Sequence, residues 1–298
     1  MSIFDSKETK VGVFNALGAY TMWGVAPIFF KLLSEVSAGE ILVHRVIWSS
    51  ILLFLIIFAL KKFHLFKAVL QQKKLVLGLL VSAAFLAANW FIFIWAVNND
   101  HLLDASLGYF INPLFSVALG MAFLGERLKG AQKVALALVI IGVAIQLYFI
   151  GSLPIVSLAL AGTFGIYGLL RKKMVVDSFV GLLVESLMML PIAIVYWIVF
   201  IDSSSANMFE NSIDLNVLFI LTGVVTTAPL LCFTAAAKRL PLSTVGFFQY
   251  IGPSMMFVIA TYFYNEPLEP AKLATFAFIW LALAIYTFDS LKKYKRKS

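Results

Sequence analysis

Two ionisable residues stand inside long apolar runs of this 298-residue chain, Arg45 in "LVHRVIWSS" and Glu185 in "VGLLVESLMML". A charge in such a run costs a few kcal/mol unless it faces protein or a wet cavity, so each is a candidate functional group. Arg45 is a fixed cation whose planar fork of donors suits a carboxylate held by paired hydrogen bonds. Glu185 has no basic residue within a turn or two in its own segment. A lone carboxylate there is costly to keep charged, which suits a group that binds and releases a proton. His44 and Trp48, four residues apart, share a helical face beside Arg45, and Glu40 comes one turn earlier. The plainer readings are an arginine that snorkels to headgroups and a carboxylate bonded to a neighbouring helix.

Other polar groups gather around two prolines. Within "SLGYFINPLF", Pro113 removes a backbone N–H and crowds the carbonyl of Tyr109, a defect worth roughly 3 kcal/mol inside a helix. Pro253 does the same to Gln249. Such gaps are tolerated where neighbouring helices, water or a cavity satisfy the freed backbone. The expectation is that Tyr109, Asn112, Gln249 and Tyr250 line a central cavity, the alternative being a packing kink. Asn89 and Trp90, in "NWFIFIWAVN", are further candidates to meet a substrate. Trp95 reads as an interfacial aromatic, Asp100, His101 and Asp104 as loop residues, and Glu126 and Glu266 as helix-ending carboxylates.

The elements that must position these groups are membrane helices. The chain is 62% hydrophobic and 13% charged, with a mean hydropathy of +0.97, whereas soluble domains carry about 25% charged residues. Its apolar runs are long enough to cross a hydrocarbon core of about 30 Å. Ten spans are expected, near 11–33, 41–60, 75–97, 103–124, 131–150, 153–171, 178–200, 215–237, 242–265 and 271–289. The first run ends without a small-residue cleavage site and reads as a span, not a signal peptide.

Placing both termini in the cytoplasm puts twenty of the 23 Lys and Arg residues on the inner side, leaving only Lys31, Arg45 and Lys272 elsewhere. Such asymmetry sets topology, and it reads the net charge of +8 as retention charges facing anionic lipid, not as a nucleic-acid surface. The three histidines are scattered, and the single cysteine, Cys232, permits no intrachain disulfide. No metal or other cofactor is expected.

A shift of 140 residues aligns 113–145 with 253–285 and yields eight identities, including Pro113/Pro253 and Glu126/Glu266. The same shift overlays the span boundaries, giving two five-helix units at 11–150 and 151–290. Five being odd, the second unit must run in the reverse sense. The expected fold is thus an all-α polytopic membrane protein, with two inverted five-helix repeats around a central cavity, the architecture of secondary transporters. The shift maps Arg45 onto Glu185, so opposite charges hold equivalent places.

The paired halves, each with a late proline followed by a glutamate, resemble the EamA repeats of the drug/metabolite transporter superfamily. More narrowly, "LVHRVIWSS", "NWFIFIWAVN", "SLGYFINPL", "GERL" and "GFFQYIGP" resemble the RarD-type, or chloramphenicol-sensitivity, subfamily over essentially the whole chain. The resemblance implies a ten-helix inner-membrane permease with a central cavity, and no particular substrate.

No G-x-x-x-x-G-K-[ST] or H-E-x-x-H is present, so nucleotide hydrolysis and zinc proteolysis lack their residues. A membrane-embedded transferase using His44 and Glu40, or a non-transporting helical partner subunit, are the alternatives to a permease. The expected function is transport, without enzymatic chemistry, of a small aromatic or amino-acid-like metabolite, coupled to protons through Glu185 or to solute exchange. No two glycines lie four apart, so no GxxxG face is present, and a monomer or weak dimer is expected.

Overall fold

The structure, a computed structural model, describes residues 7–99, 102–150, 155–263 and 270–295. Asp100, His101 and Glu266, and the side chain of Asp104, lie outside the described residues. Every regular element described is helical, as lipid demands, because only helices and closed barrels satisfy all backbone groups without water. In chain order the helices are α1 (Lys7–Lys31), α2 (Ala38–Ala59), α3 (Phe63–Leu70), α4 (Lys73–Asn98), α5 (Leu102–Leu124) and α6 (Gly130–Ile150), followed by α7 (Ile155–Lys173), α8 (Ser178–Phe200), α9 (Ile213–Arg239), α10 (Leu242–Gln249), α11 (Ile251–Phe263) and α12 (Pro270–Lys295). Among the described residues ten spans are long and apolar enough to cross a membrane, with α10 and α11 together making one. Each coincides with an expected span to within a few residues.

Large apolar side chains such as Phe54, Leu55, Phe58, Ile192, Val195 and Ile198 are exposed on the outside of the bundle. In water they would form an anomalous patch; against lipid tails they are the solvated surface. Capping residues set several boundaries. Ser37 accepts from the backbone N–H of Glu40 at 3.2 Å to start α2, and Asp177 accepts from Phe179 and Val180 to start α8.

Two features differ from the sequence expectation. The connection after α2 folds into the short helix α3, which buries Val69 and leaves Lys67 and Leu70 outward. The two proline-containing spans also behave differently. Helix α5 runs unbroken through Pro113, whereas the span with Pro253 breaks between α10 and α11. There Pro253 cannot donate to the Gln249 carbonyl, and the backbone N–H of Tyr250 turns back to Phe247 at 3.3 Å.

The main packing pairs are α1 with α9 and α11, α7 with α4 and α5, α2 with α8 and α9, α4 with α8, α5 with α10, and α6 with α12. Exchanging every helix for the one 140 residues away returns this same set of pairs.

Candidate substrate and proton site

Helices α2, α4, α8 and α9 line a narrow crevice with room for about one water molecule. Its wall consists of Val46, Ser49, Leu53, Leu86, Trp90, Leu182, Glu185, Ser186, Met189, Thr226, Thr227 and Leu230. Eight of these form pairs separated by 140 residues: Val46/Ser186, Ser49/Met189, Leu86/Thr226 and Trp90/Leu230. The void therefore lies between segments related by the 140-residue shift.

Arg45 borders the cavity through its partners. Its Nε donates to Thr226 Oγ1 at 2.8 Å, and its guanidinium sits 4.8 Å from the Trp90 ring centroid and 5.6 Å from that of Phe30. Tyr109, 42% exposed, lies close enough to interact with this charge. Among the described residues no carboxylate is within ion-pair distance of Arg45. Aromatic faces stabilise a cation while leaving its remaining donors unused. The arrangement can hold an anion.

Glu185 is fully buried and lines the cavity. Its Oε1 accepts from Ser82 Oγ at 2.6 Å and lies 3.4 Å from Arg171 Nη1, in an ion pair whose two side chains are both 0% exposed. Tyr167 stands beside the carboxylate, with its hydroxyl short of hydrogen-bond geometry. Arg45 and Glu185 thus each bond a hydroxyl of α9 or α4, the helices that exchange under the 140-residue shift.

The ion pair is what local sequence could not show. Arg171 belongs to a run, Arg171-Lys172-Lys173, that reads as retention charges, and here the structure corrects the reading: Arg171 is completely buried. Its guanidinium fits against α8 because position 181 is glycine. A Cβ at Gly181 would collide with Nη1, Nη2 and Cζ of Arg171.

The other candidates separate. His44 is 1% exposed and stacks on Phe219, centroids 3.9 Å apart, with neither ring nitrogen hydrogen-bonded. Glu40 instead accepts from Ser203 Oγ at 2.7 Å. Trp48 keeps a buried Nε1 without a partner, while the next residue, Ser49, bonds the Gly223 carbonyl of α9. Asn89 donates to the Leu160 carbonyl at 2.8 Å and to Thr163 Oγ1 at 3.0 Å, tying α4 to α7.

The proline-linked residues do not line this cavity. Tyr250 donates to the Phe110 carbonyl at 3.0 Å, and Gln249 accepts from Ser116 at 3.3 Å, both within the contact of α5 with α10. Asn112 has a buried Oδ1 without a partner, as does Nε2 of Gln249. That contact is close because residue 246 is glycine, where a Cβ would stand 2.8 Å from the Pro113 carbonyl oxygen. Of the ten candidates, Trp90 and Glu185 line the cavity, Arg45 reaches its wall through Thr226, and Tyr109 lies near Arg45.

The end of the bundle near Lys172 is closed by charged links. Glu126, beyond the end of α5, caps α10 instead, accepting from the backbone of Leu242 at 2.6 Å and of Ser243 at 2.8 Å, and from Ser243 Oγ at 2.6 Å. A carboxylate there satisfies free N–H groups and complements the helix dipole. Lys172 donates to the Ala237 carbonyl at 3.0 Å and to that of Leu240, and Lys238 donates to the Val176 carbonyl. Lys62 pairs with Asp177 at 2.7 Å. That salt bridge and the two α8 N–H groups hold the Asp177 carboxyl below the usual range, outweighing the upward push of its partial burial. Among the described residues no group of three or more His, Cys, Asp or Glu side chains could hold a metal.

The EamA-like transporter family pattern matches residues 10–148. Over its full length the chain is similar to Protein RarD of Escherichia coli strain K12, at 50% identity with 99% of each chain covered. An uncharacterized transporter of Vibrio cholerae is 54% identical, with 97% of this chain and 95% of the relative covered. The chloramphenicol-sensitive protein RarD of Pseudomonas aeruginosa is 31% identical, over 96% of this chain and 97% of its own. A solved crystal structure with 15% sequence identity superposes at a TM-score of 0.75, covering 96% of this chain and 99% of the other, which shows a shared fold.

Proposed function

The chain belongs to the RarD-type, EamA-like transporter family, and on that footing we propose that it is a secondary transporter of a small organic solute across a bacterial inner membrane. What supports this reading is one cavity that Glu185 lines and that Arg45 borders through Thr226, with eight wall residues paired at a spacing of 140. A site between inverted repeats can be offered to either side of the membrane as the halves rock. In this reading residues 11–150 and 151–290 are the two inverted repeats, and both termini are cytoplasmic, as the basic residues demand.

Arg45 holds a carboxylate of the solute by paired hydrogen bonds, while Trp90 and Tyr109 pack on its planar part. Glu185 binds a proton in one phase of the cycle and releases it in the other. His44, Trp48 and Asn89 then shape the helices that carry the site, since their contacts are with neighbouring helices. The substrate class is an aromatic or amino-acid-like carboxylate.

Reconstituted vesicles, assayed with a panel of labelled aromatic and amino-acid carboxylates with and without a pH gradient, test this. Arg45→Lys is expected to weaken solute binding while transport stays proton-sensitive. Glu185→Gln is expected to keep binding and lose gradient-driven accumulation. A Glu185→Gln protein that accumulates solute as well as the parent would remove the proton role.

A further inference from the structure

The guanidinium of Arg171 is buried with its capacity largely unused. Of its five N–H donors only one, on Nη1, meets Glu185, at a long 3.4 Å, while Nε and Nη2 have no acceptor. A well-made arginine–carboxylate pair is bidentate with contacts of about 2.7–2.9 Å. Glu185 is equally half-engaged. Its Oε1 makes the shorter bond to Ser82, and its buried Oε2 accepts nothing. Gly181, one turn before Glu185 on α8, keeps the slot open for the guanidinium. The cavity reaches this pair through Glu185.

We infer that Arg171 is a second anion-binding group: a carboxylate entering this half of the cavity replaces Glu185 on its guanidinium, and Glu185 takes up one proton in the same step. The exchange balances. Glu185 gains one O–H bond with a proton from the aqueous side, Arg171 keeps its charge, and the incoming anion supplies the negative charge that Glu185 gives up. Net buried charge is unchanged, which a low-dielectric interior requires. Neutral Glu185 keeps Ser82 as a partner and gains a donor that can turn to Tyr167. The charged and titratable groups that interact with the pair are Tyr167 on α7 and Lys238 on α9, and Lys238 in turn interacts with Asp177, ahead of α8, and with Arg239. From α4, the Ser82 hydroxyl donates to Glu185, and among the described residues α2 makes no salt bridge with either partner.

The inference rests on the transporter reading and specifies its coupling: one proton accompanies each carboxylate through this half of the cavity. Solute held at Arg45 on one side and at Arg171 on the other would have an anion site at each end of its path.

The test uses the full chain in detergent and benzoate as the probe, read as the rise in unfolding temperature on saturation. Wild type is expected to be stabilised at pH 5.5, with the half-saturating concentration rising by up to about tenfold per pH unit toward pH 8. Glu185→Gln is expected to bind at pH 8 at least as well as wild type does at pH 5.5, with no pH dependence. The doubly neutral Arg171→Gln/Glu185→Gln protein leaves no uncompensated charge and should fold, and its half-saturating benzoate should be at least about tenfold higher. Failure of Glu185→Gln to bind benzoate, or equal binding by the double variant, overturns the inference. Vesicle transport is scored separately. A protein that binds benzoate in this pattern and carries no solute keeps the Arg171 site and loses the transporter reading.

Discussion

The phenol of Tyr250 donates to the carbonyl of Phe110 at 3.0 Å, and the two residues stand 140 positions apart. The bond joins a continuous span, α5, to a broken one, α10 and α11. Tyr250 sits at the junction of α10 and α11 with helical dihedrals, and its side chain reaches the α5 backbone from there.

Loss of this bond should be modest and loss of the close approach beside it larger. Tyr250→Phe is expected to cost about 0.5–1.5 kcal/mol of stability, the net worth of one hydrogen bond. Gly246→Ala is expected to cost about 1–3 kcal/mol, because its Cβ must displace the Pro113 carbonyl from α10. Denaturant unfolding in detergent ranks the two, and the reverse order would show that the bond, not the packing, holds this interface.

The buried pair should show strong coupling. Removing one partner, as in Glu185→Ala, leaves Arg171 uncompensated and is expected to cost about 3–5 kcal/mol. Replacing both residues by glutamine should cost clearly less than the sum of the single changes. A double-mutant cycle by thermal unfolding at pH 7.5 measures this, and additive effects would deny the pairing.

Asp177 offers a pH-dependent contribution outside the spans. Its carboxyl sits below the usual range in the folded protein, chiefly through Lys62 and the N–H groups of α8. Its stabilisation is therefore complete above the unfolded value of about 3.9 and is lost as pH falls through the lower folded value. Asp177→Asn keeps the cap and removes the charge. The variant should be less stable than the parent at pH 7, with the gap closing below about pH 4. Unfolding curves at several pH values check it, and a gap that is constant with pH would assign the effect to packing.

Orientation is checked with single cysteines. In a Cys232→Ala background, cysteine at Ser204 should react with an impermeant thiol reagent added to intact cells, and cysteine at Ser298 only after the membrane is opened. Reaction of both from outside would reverse the placement of the C-terminus.

The membrane spans were legible in sequence because their cause is local. Lipid offers no hydrogen bonds, so each crossing must be a long apolar run that is helical almost throughout, and run length alone marks it. Arg45 and Glu185 stand out in sequence as charges within apolar runs, which is visible without knowing their neighbours. The neighbours were decided only by the fold. Arg171 reads as one cation in a basic run, and only the approach of α8, with Gly181 in place of a side chain, makes it the buried partner of a carboxylate fourteen residues further on. Gln249 and Tyr250 read as cavity residues because their proline gap is visible, yet the packing of α10 on α5 turned them into an interface. Glu126 reads as the end of its own helix and caps another 116 residues away. Sequence declares that a buried polar group must have a partner; which partner it finds is set by how the helices cross.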